Sequence, residues 1–401
     1  MPTALDIARA LIRFPSVTPR DEGALPYLSN LLQSAGFATE LVTFSAPDTP
    51  DVLNLFARYG SAQPNLAFAG HTDVVPPGDI SRWRHDPFVA EVADGVLYGR
   101  GACDMKGGLA ATVAAALRFV GKKPISGSIS FLITGDEEGP SINGTAKLLA
   151  WAAGRGEIFD HCVVGEPTCL EKLGDTIKHG RRGSLTGRLT LFGKQGHAAY
   201  PHIADNPVRR LSAVLDALFS PPLDEGDENF APSNLEVVSV DVGNPASNVI
   251  PGEARLLINV RFNAVWTPER LSDEIHRRVE SALNGARYAL SFDPCTATAF
   301  VTHRGPFTDL VADAVEDVTG IRPTLNTAGG TSDARFIKDY CPVVDFGLPN
   351  ATIHAVDERA SVEDIEALSR IYERVMERYF GVASASGEAP RRAPQYSTPV
   401  R

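Results

Sequence analysis

Five short turns of the sequence carry histidine or carboxylate side chains in groups that could bind metal ions and support hydrolysis. They are His71-Thr72-Asp73, Gly101-Ala102-Cys103-Asp104, Asp136-Glu137-Glu138, Gly165-Glu166-Pro167 and Asn350-Ala351-Thr352-Ile353-His354. Imidazole nitrogens and carboxylate oxygens without thiolates fit a hydrolytic zinc, cobalt or manganese site better than a structural zinc site. A carboxylate shared by two ions would create a two-metal site, where the pKa of bound water falls to about 7 and a glutamate can take up its proton.

The first two turns also have ordinary structural explanations. Asp73 stands two residues after His71 at a strand end, so both side chains project to the same side and Asp73 could hydrogen-bond one imidazole nitrogen while the other binds metal. A turn histidine that is merely hydrogen-bonded to a nearby aspartate has the same pattern. Asp104 precedes an Ala-rich helix and could cap its exposed N–H groups, although the surrounding glycines indicate an unusual backbone.

The remaining turns are ambiguous when each is considered alone. Adjacent carboxylates repel each other, so Glu137 and Glu138 indicate either a solvated loop or a metal site. Neighbouring side chains at an extended strand end point to opposite sides, so one glutamate could bind metal while the other faces a bound water. Glu166 could be an exposed loop acid and His354 a core or surface histidine. The metal-site hypothesis therefore depends on all five turns occurring in one chain.

The elements that must position these turns follow the pattern of a layered α/β domain. Strand-length apolar runs precede three of the turns, at Asn65–Gly70, Ser128–Thr134 and Phe159–Val164. In open α/β sheets the ligand site lies beyond the carboxyl ends of the strands, so turns in these places can converge. The same alternation of apolar runs and helical periodicity predicts a strand at Pro342–Phe346 and helices at Glu22–Gly36, Gly107–Val120, Thr308–Gly320 and Ser361–Phe380.

The character of the chain changes near Gly183, where a small two-layer α+β domain is predicted as an insert. Its predicted strands are Leu185–Phe192, Leu235–Val242, Ala254–Phe262 and Tyr288–Phe292, and its predicted helices are Asn206–Phe219 and Pro268–Leu283. We therefore expect a discontinuous catalytic domain made of residues 1–182 and 295–380, and an inserted domain made of residues 183–294. Residues 381–401 lack periodicity and predict a disordered tail.

Composition excludes several classes of function. The chain of 401 residues has 38 Lys and Arg against 49 Asp and Glu, a net charge of −11, which argues against nucleic-acid and anionic-membrane partners. Its apolar runs are shorter than the ~18 residues a membrane helix needs, and the N-terminus lacks the pattern of a secretory signal. The five cysteines never form a Cys-x-x-Cys pair, so scattered core thiols and a cytoplasmic location are expected.

Four longer motifs are specific when taken together: Gly70–Gly78, Gly99–Gly108, Thr134–Gly139 and Gly165–Thr168. On these motifs the chain resembles the family of di-zinc aminoacylases and exopeptidases, from about Leu5 to Phe380. The resemblance implies an α/β fold, with a zinc-exopeptidase-like three-layer catalytic domain and an inserted two-layer α+β domain that acts as a lid and forms a homodimer.

The resemblance also implies the metal ligands. His71 and Glu166 would bind one zinc ion, Glu138 and His354 would bind the other, and Asp104 would bridge them. Two Zn2+ ions per subunit are therefore expected, with Co2+ able to substitute.

The family also implies roles for three further residues. Glu137 would be the general base and later the proton donor, and Asp73 would orient His71. His197 of the inserted domain would reach the active site of a neighbouring subunit and stabilise the carbonyl oxyanion, a contribution typically of several kcal/mol.

The substrate is indicated by the segments Gly180–Leu185, Gly196–His202, Ser247–Pro251 and Gly329–Ala334. They look most like family members that hydrolyse N-succinyl-LL-2,6-diaminopimelate to succinate and LL-2,6-diaminopimelate. Arg182 and Arg261 would bind its carboxylates, since guanidinium groups pair with carboxylates in a bidentate way, although ordinary surface ion pairs are the alternative. The remaining substrate-binding candidates are Asn248, Thr331 and Asn350.

Three other functions remain as alternatives. The first is the same chemistry on another N-acyl amino acid, such as N-acetylornithine. A metal-binding regulatory protein on a hydrolase scaffold is disfavoured because the base and every ligand are present. A two-metal phosphate-ester hydrolase is disfavoured because the sequence has no glycine-rich phosphate loop.

Overall fold

The computed structural model describes residues 1–122 and 125–381, and the chain divides into two compact units. Unit 1 contains residues 1–179, residues 302–326 and the chain from residue 332 onward, while unit 2 contains residues 180–301 and 327–331. The predicted insert, residues 183–294, falls within unit 2. The predicted tail, residues 381–401, lies outside the described residues except for Gly381. No helix of the described part of the chain is long and apolar enough to cross a membrane.

An eight-stranded mixed sheet forms the centre of unit 1. The strands of this unit are β1 Ala38–Ala46, β2 Thr49–Tyr59, β3 Asn65–His71, β4 Glu91–Ala93, β5 Val96–Tyr98, β6 Ser128–Thr134, β7 His161–Val164, β8 Thr176–Lys178, β17 Thr324–Asn326, β18 Val343–Asp345 and β19 Arg359–Ser361. The order in the large sheet is β1-β2-β6-β3-β7-β18-β8-β17, and β4, β5 and β19 form a separate small sheet. Strands β3 and β6 are buried along their whole length, which explains why their sequences are mostly apolar.

Helices pack beside this sheet and complete the core of unit 1. They are α1 Ala4–Ile12, α2 Ala24–Ser34, α3 Lys106–Val120, α4 Thr145–Ala153, α7 Pro306–Thr319, α8 Ala334–Ile337 and α9 Val362–Tyr379. Helix α3 packs against α1 and α9, and its small side chains allow it to be buried almost entirely. A Cβ atom at Gly108 would lie 2.3 Å from the carbonyl oxygen of Gly165. Glycine is therefore required where the start of α3 meets the loop that carries Glu166.

Unit 2 is a two-layer α+β structure with a core of its own. Its strands are β9 Gly180–Arg181, β10 Gly183–Phe192, β11 Gly196–His197, β12 Asn234–Asp241, β13 Val249–Ile250, β14 Glu253–Phe262, β15 Tyr288–Phe292 and β16 Phe300–Val301, and its helices are α5 Leu211–Phe219 and α6 Pro268–Leu283. The main sheet is antiparallel with the order β12-β14-β10-β15. Buried and less buried residues alternate along β10 and β14, because only one face of the sheet contacts the helices.

Helix α5 and the hairpin of β1 and β2 differ from the sequence prediction. The helix predicted at residues 206–219 begins as a 3-10 turn, Pro207–Arg210, and becomes α-helical only at Leu211. The side chain of Asn206 accepts the N–H of Val208 at 3.1 Å and fixes that tighter turn. The hairpin of β1 and β2 was not predicted, because β1 is an edge strand with alternating exposed and half-buried residues rather than an apolar run.

Candidate metal centre

The predicted turns lie at the ends of four neighbouring strands of unit 1. Strands β6, β3, β7 and β18 are adjacent in this order and run parallel. His71 ends β3, residues 136–138 follow β6, Glu166 follows β7, and His354 lies in the loop after β18. Because the carboxyl ends of parallel strands meet at one edge of a sheet, these turns come together. Asp104 joins them from the loop before α3.

The five predicted ligands form two groups that share Asp104. The first group is His71, Asp104 and Glu166, the second is Asp104, Glu138 and His354, and the ligand atoms of each group lie within 4.8 Å of one another. His71 Nε2 is 3.4 Å from Asp104 Oδ1 and 3.7 Å from Glu166 Oε1. His354 Nε2 is 2.8 Å from Glu138 Oε1 and 3.4 Å from Asp104 Oδ2. Each oxygen of Asp104 thus faces a different histidine, as a carboxylate that bridges two ions would.

Two atoms of the first group indicate that a metal ion fits. Among the described residues, His71 Nε2 and Asp104 Oδ1 are buried and have no hydrogen-bond partner. Buried polar atoms are normally satisfied, and an ion between these two would satisfy both. The ligand set contains only imidazole and carboxylate groups, which suits zinc in a hydrolytic site.

The electrostatics of the two groups also favour a cation. Burial disfavours the charged form of Asp104, but the imidazoles of His354 and His71 outweigh it and hold the pKa of Asp104 well below its usual value. The carboxylates of Asp104 and Glu138 raise the pKa of His354 to about 10. Burial opposes a charge on His71, yet the surrounding carboxylates raise its pKa well above its usual value. The carboxylates therefore stabilise positive charge in both groups. A divalent ion can supply that charge in place of the proton on each histidine, because a histidine must be neutral to bind metal.

Asp73 contacts both His71 and the loop that carries the two glutamates. His71 Nδ1 is 2.8 Å from the carbonyl oxygen of Asp73 and 3.6 Å from its Oδ1. The carboxylate of Asp73 accepts the backbone N–H groups of Glu137 at 3.2 Å and Glu138 at 3.0 Å. Burial raises the pKa of Asp73 to about 6, although His71 and these N–H groups oppose the rise. The sequence predicted that the Asp73 side chain would hydrogen-bond the His71 imidazole, but the backbone carbonyl oxygen of Asp73 makes that contact. The carboxylate of Asp73 instead fixes the backbone of Glu137 and Glu138.

Glu137 lies beside the two ligand groups and belongs to neither. Its side chain is 12% exposed, and its Oε1 is 4.0 Å from Arg335 Nη1. Burial, followed by the nearby carboxylate of Asp333, raises the pKa of Glu137 to about 8, against the opposing influence of His71 and Arg335. A buried carboxylate with a raised pKa next to metal ligands is suited to proton transfer near neutral pH.

Sequence reasoning missed several buried charged residues around the centre. They are Arg100, Lys106, Asp333, Arg335 and Glu358. Arg100 and Glu358 form an ion pair with an N–O distance of 2.7 Å. The available signals were the place of Arg100 between two glycines of a motif and the position of Glu358 shortly after His354. Neither signal predicts that the two side chains meet.

Arg182 and Arg261 lie together in unit 2. Asn234 links them, because it is opposite Arg261 in the β12-β14 pairing and its Oδ1 accepts a hydrogen bond from Arg182 Nη1 at 2.8 Å. Burial, and then the charge of Arg182, lowers the pKa of Arg261. No carboxylate pairs with Arg261 in the described parts of the chain. Two half-buried guanidinium groups held close together favour an anionic ligand.

His197 and Asn248 also lie side by side in unit 2. His197 pairs with Val249 between β11 and β13, and the N–H of Ala198 donates to the carbonyl oxygen of Asn248 at 2.8 Å. The side chains of His197 and Asn248 are exposed. His197 Nδ1 accepts the N–H of Ala199 at 3.0 Å, so in the neutral ring the proton is on Nε2. His197 can therefore donate a hydrogen bond from Nε2.

The last two substrate-binding candidates are in different units. Thr331 belongs to unit 2, at the end of its second segment, and Asn350 belongs to unit 1. The N–H of Asn350 donates to the carbonyl oxygen of Cys169 at 2.9 Å, which fixes the start of the loop that carries His354. All five cysteines are free thiols, as expected.

Comparison with known proteins gives one consistent result. The family model described as peptidase family M20/M25/M40 matches residues 67–378. The chain is 59% identical over 379 residues to the succinyl-diaminopimelate desuccinylase of Beijerinckia indica, covering 94% of this chain and 99% of that protein. The succinyl-diaminopimelate desuccinylase of Methylocella silvestris is 59% identical over 381 residues, covering 94% of this chain and 98% of that protein. Among solved structures, a tripeptidase from Staphylococcus aureus matches with a TM-score of 0.77 and 20% identity, covering 94% of this chain and 97% of that chain, which confirms the predicted fold class.

Proposed function

The chain belongs to peptidase family M20/M25/M40, and we propose that it hydrolyses the succinyl amide of N-succinyl-LL-2,6-diaminopimelate. The products would be succinate and LL-2,6-diaminopimelate, a precursor of lysine and of the bacterial cell wall. The observation that carries this proposal is the pair of ligand groups that share Asp104, with Glu137 held beside them. The substrate is proposed from the names of relatives that match nearly the whole chain.

Two zinc ions are the proposed metals. His71 and Glu166 would hold one ion, Glu138 and His354 would hold the other, and Asp104 would contact both. When bound, such a pair polarises the amide carbonyl group and lowers the pKa of water. Co2+ is an alternative occupant, because it accepts the same nitrogen and oxygen ligands.

Glu137 is proposed to move the protons of the reaction. It would take a proton from the attacking water and then donate it to the departing amine nitrogen. Three observations support this role: the side chain is mostly buried, it lies outside both ligand groups, and the Asp73 carboxylate fixes its backbone N–H. Arg335, 4.0 Å from Glu137 Oε1, limits the directions in which the carboxylate can point.

The carboxylates of the substrate are proposed to bind Arg182 and Arg261. The substrate carries several carboxylates, and these guanidinium groups lie close to each other in unit 2 with no acidic partner for Arg261 among the described residues. Asn248, Thr331 and Asn350 are the proposed hydrogen-bonding residues for the rest of the substrate.

A homodimer is proposed in which His197 of one subunit reaches the active site of the other and donates a hydrogen bond to the carbonyl oxyanion. Two features support it. The Nε2 proton of His197 is available for an oxyanion, since Nδ1 already accepts a backbone N–H. Strand β12 is an edge strand with two exposed valines, Val238 at 57% and Val240 at 47%, and such an edge is a ready site for pairing with a second chain. A cytoplasmic location is also proposed, which suits the five free thiols.

A substrate-panel assay tests the proposal. The protein is treated with a chelator, zinc is restored, and kcat/KM is measured for N-succinyl-LL-2,6-diaminopimelate and for N-acetylornithine. We expect activity only after zinc is restored and a large preference for the succinylated substrate, because specificity is expressed in this ratio. A preference for N-acetylornithine would contradict the proposed substrate, and full activity in the chelated enzyme would contradict the metal mechanism.

A further inference from the structure

We infer that the buried ion pair of Arg100 and Glu358 is a positioning device that holds Asp104 and His354 together as ligands of one metal ion. This inference rests on the proposed metal centre and extends it, since neither residue is itself a ligand. The two side chains are among the most buried charges of unit 1, with 2% exposure for Arg100 and 0% for Glu358.

Glu358 acts on the loop that carries Asp104. Its Oε1 accepts the backbone N–H groups of Cys103 and Asp104, each at 3.0 Å, and its Oε2 accepts Arg100 Nη1 at 2.7 Å. The backbone of Glu358 takes part as well, because its carbonyl oxygen accepts the N–H of Gly99 at 2.9 Å. The carboxylate therefore fixes the peptide from which the bridging aspartate projects.

Arg100 acts on the loop that carries His354. Its Nη2 donates to the carbonyl oxygen of His354 at 3.4 Å, and its Nη1 donates to the carbonyl oxygen of Ala355 at 3.2 Å. His354 has a φ of 58°, a left-handed backbone conformation that is uncommon for residues other than glycine and that costs free energy. The guanidinium group supports that conformation, and it is itself held over the ring of Trp83, with Cζ 5.1 Å from the centroid.

The ion pair thus connects two ligands that are far apart in sequence. The guanidinium group reaches a carboxylate and two carbonyl oxygens at once because it is planar and has five donors, whereas a lysine ammonium is a single point charge. Asp104 belongs to both ligand groups, while His354 belongs only to the second. Loss of the Arg100 donors should therefore lower the metal affinity of the second group more than that of the first.

The test is a calorimetric titration of the metal-free protein with zinc. The wild type is expected to bind two zinc ions. Arg100→Lys keeps the positive charge beside Glu358 and removes the hydrogen bonds to the carbonyl oxygens. We expect the affinity for one zinc ion to fall about 10- to 100-fold, the usual effect of removing a residue that supports a ligand, and the other affinity to stay within about threefold.

A second variant keeps the inference testable if Arg100→Lys does not fold. Glu358→Gln retains only one acceptor oxygen, which the charged Arg100 attracts more strongly than a backbone N–H does. The amide N–H2 group would then face the N–H groups of Cys103 and Asp104, so Asp104 loses its fixed position. Both zinc affinities are expected to fall, because Asp104 serves both groups. Unchanged zinc affinities in either folded variant, with only a lower thermal midpoint, would show that the pair is merely structural and would overturn the inference.

Arg118→Lys is the matched control. Arg118 also pairs with a glutamate, Glu373, at 2.8 Å, and donates to a backbone carbonyl oxygen, that of Ser369, at 3.2 Å. It lies between α3 and α9, away from the ligands, so both zinc affinities should remain those of the wild type. A wild-type protein that binds no zinc would instead contradict the proposed metal centre itself, which separates that failure from a failure of this inference.

Discussion

Replacement of Asp73 by asparagine is expected to slow hydrolysis by disturbing the turn that carries Glu137, the proposed general base. The carboxylate of Asp73 accepts the backbone N–H groups of Glu137 and Glu138. Asparagine has the same shape, but one of its terminal atoms is an N–H2 group, so one backbone N–H would face another donor. The carbonyl oxygen of Asp73, which accepts from His71 Nδ1, is unchanged, so the metal group of His71 should survive.

The size of the effect follows from the burial of these hydrogen bonds. Asp73 is 0% exposed, so water cannot replace the missing acceptor. A buried N–H without a partner costs about 1–3 kcal/mol, and a hydrogen bond to a charged group contributes about 1.5–3 kcal/mol. Because asparagine can accept only one of the two N–H groups, the free energy of unfolding of the metal-free protein should fall by about 2–3 kcal/mol. A displacement of Glu137 by about 1 Å would lower kcat about 100-fold.

Two measurements on Asp73→Asn separate the possible routes of action. Steady-state kinetics with N-succinyl-LL-2,6-diaminopimelate and saturating zinc should show a lower kcat and a KM near that of the wild type. Zinc titration of the metal-free variant should show a weaker site for Glu138 and an unchanged site for His71. These results would show that the Asp73 carboxylate acts by fixing the turn of Glu137 and Glu138, and not by orienting the imidazole of His71.

Asp21→Asn is the control for stability alone. The carboxylate of Asp21 also accepts two backbone N–H groups, those of Gly23 and Leu25, each at 2.9 Å, in the segment between α1 and α2, which carries no proposed ligand. This variant should unfold more easily and keep its kcat. The reasoning on Asp73 is refuted if Asp73→Asn loses the zinc ion of His71 and keeps that of Glu138, or if its kcat stays within about twofold of the wild type while its stability falls.

Three further variants test other parts of the structure. Glu137→Gln should lower kcat by about 10²- to 10⁴-fold, the range for loss of a general base, while metal analysis still finds two zinc ions; near-normal turnover would contradict the assignment. Arg261→Met should raise KM and lower kcat/KM by about 10- to 100-fold, as expected for loss of a charge-assisted hydrogen bond, and an unchanged kcat/KM would remove Arg261 from the substrate site. Burial lowers the pKa of His161 to about 4, from an ordinary value of 6.5. The unfolded chain therefore binds more protons between these values, and stability should fall by up to about 3 kcal/mol as the pH drops from about 6.5 to about 4. Urea unfolding at pH 7 and pH 4.5 should show a smaller difference in the free energy of unfolding for His161→Gln than for the wild type. An unchanged difference would mean that other groups cause the pH dependence.

The strands that position the proposed metal centre were predictable because they are buried on both faces. The predicted strand Ser128–Thr134 has the observed bounds of β6, and the prediction for β3 is one residue short of His71. A parallel strand that is buried on both faces is mostly apolar, so the histidine or carboxylate residues at or just after its end mark the edge where the candidate ligands lie. The five candidate ligands were proposed in this way, together with the family resemblance.

The supporting hydrogen bonds were not predictable for a different reason. Arg100 and Glu358 are 258 residues apart, and Asp73 is 64 and 65 residues from the N–H groups that it accepts. Each of these side chains looks like an ordinary surface charge in the sequence, because no local pattern distinguishes a buried ion pair from an exposed one. Only the folded chain shows that their partners include backbone groups of the turns that carry Glu137 and the candidate ligands.

The net charge of −11 is consistent with an anionic substrate once the placement of the charges is known. Four of the acidic residues, Asp104, Glu137, Glu138 and Glu166, lie at the proposed metal centre of unit 1, where two bound zinc ions would add a charge of +4. In unit 2, Arg182 and Arg261 lie close together, and no carboxylate pairs with Arg261 in the described residues. A ligand responds to the local field more than to the average over the surface, because exposed charges farther away than about 8–10 Å are screened by salt. A cationic substrate therefore does not follow from the net charge, and the carboxylates of the proposed substrate are opposite in charge to Arg182 and Arg261.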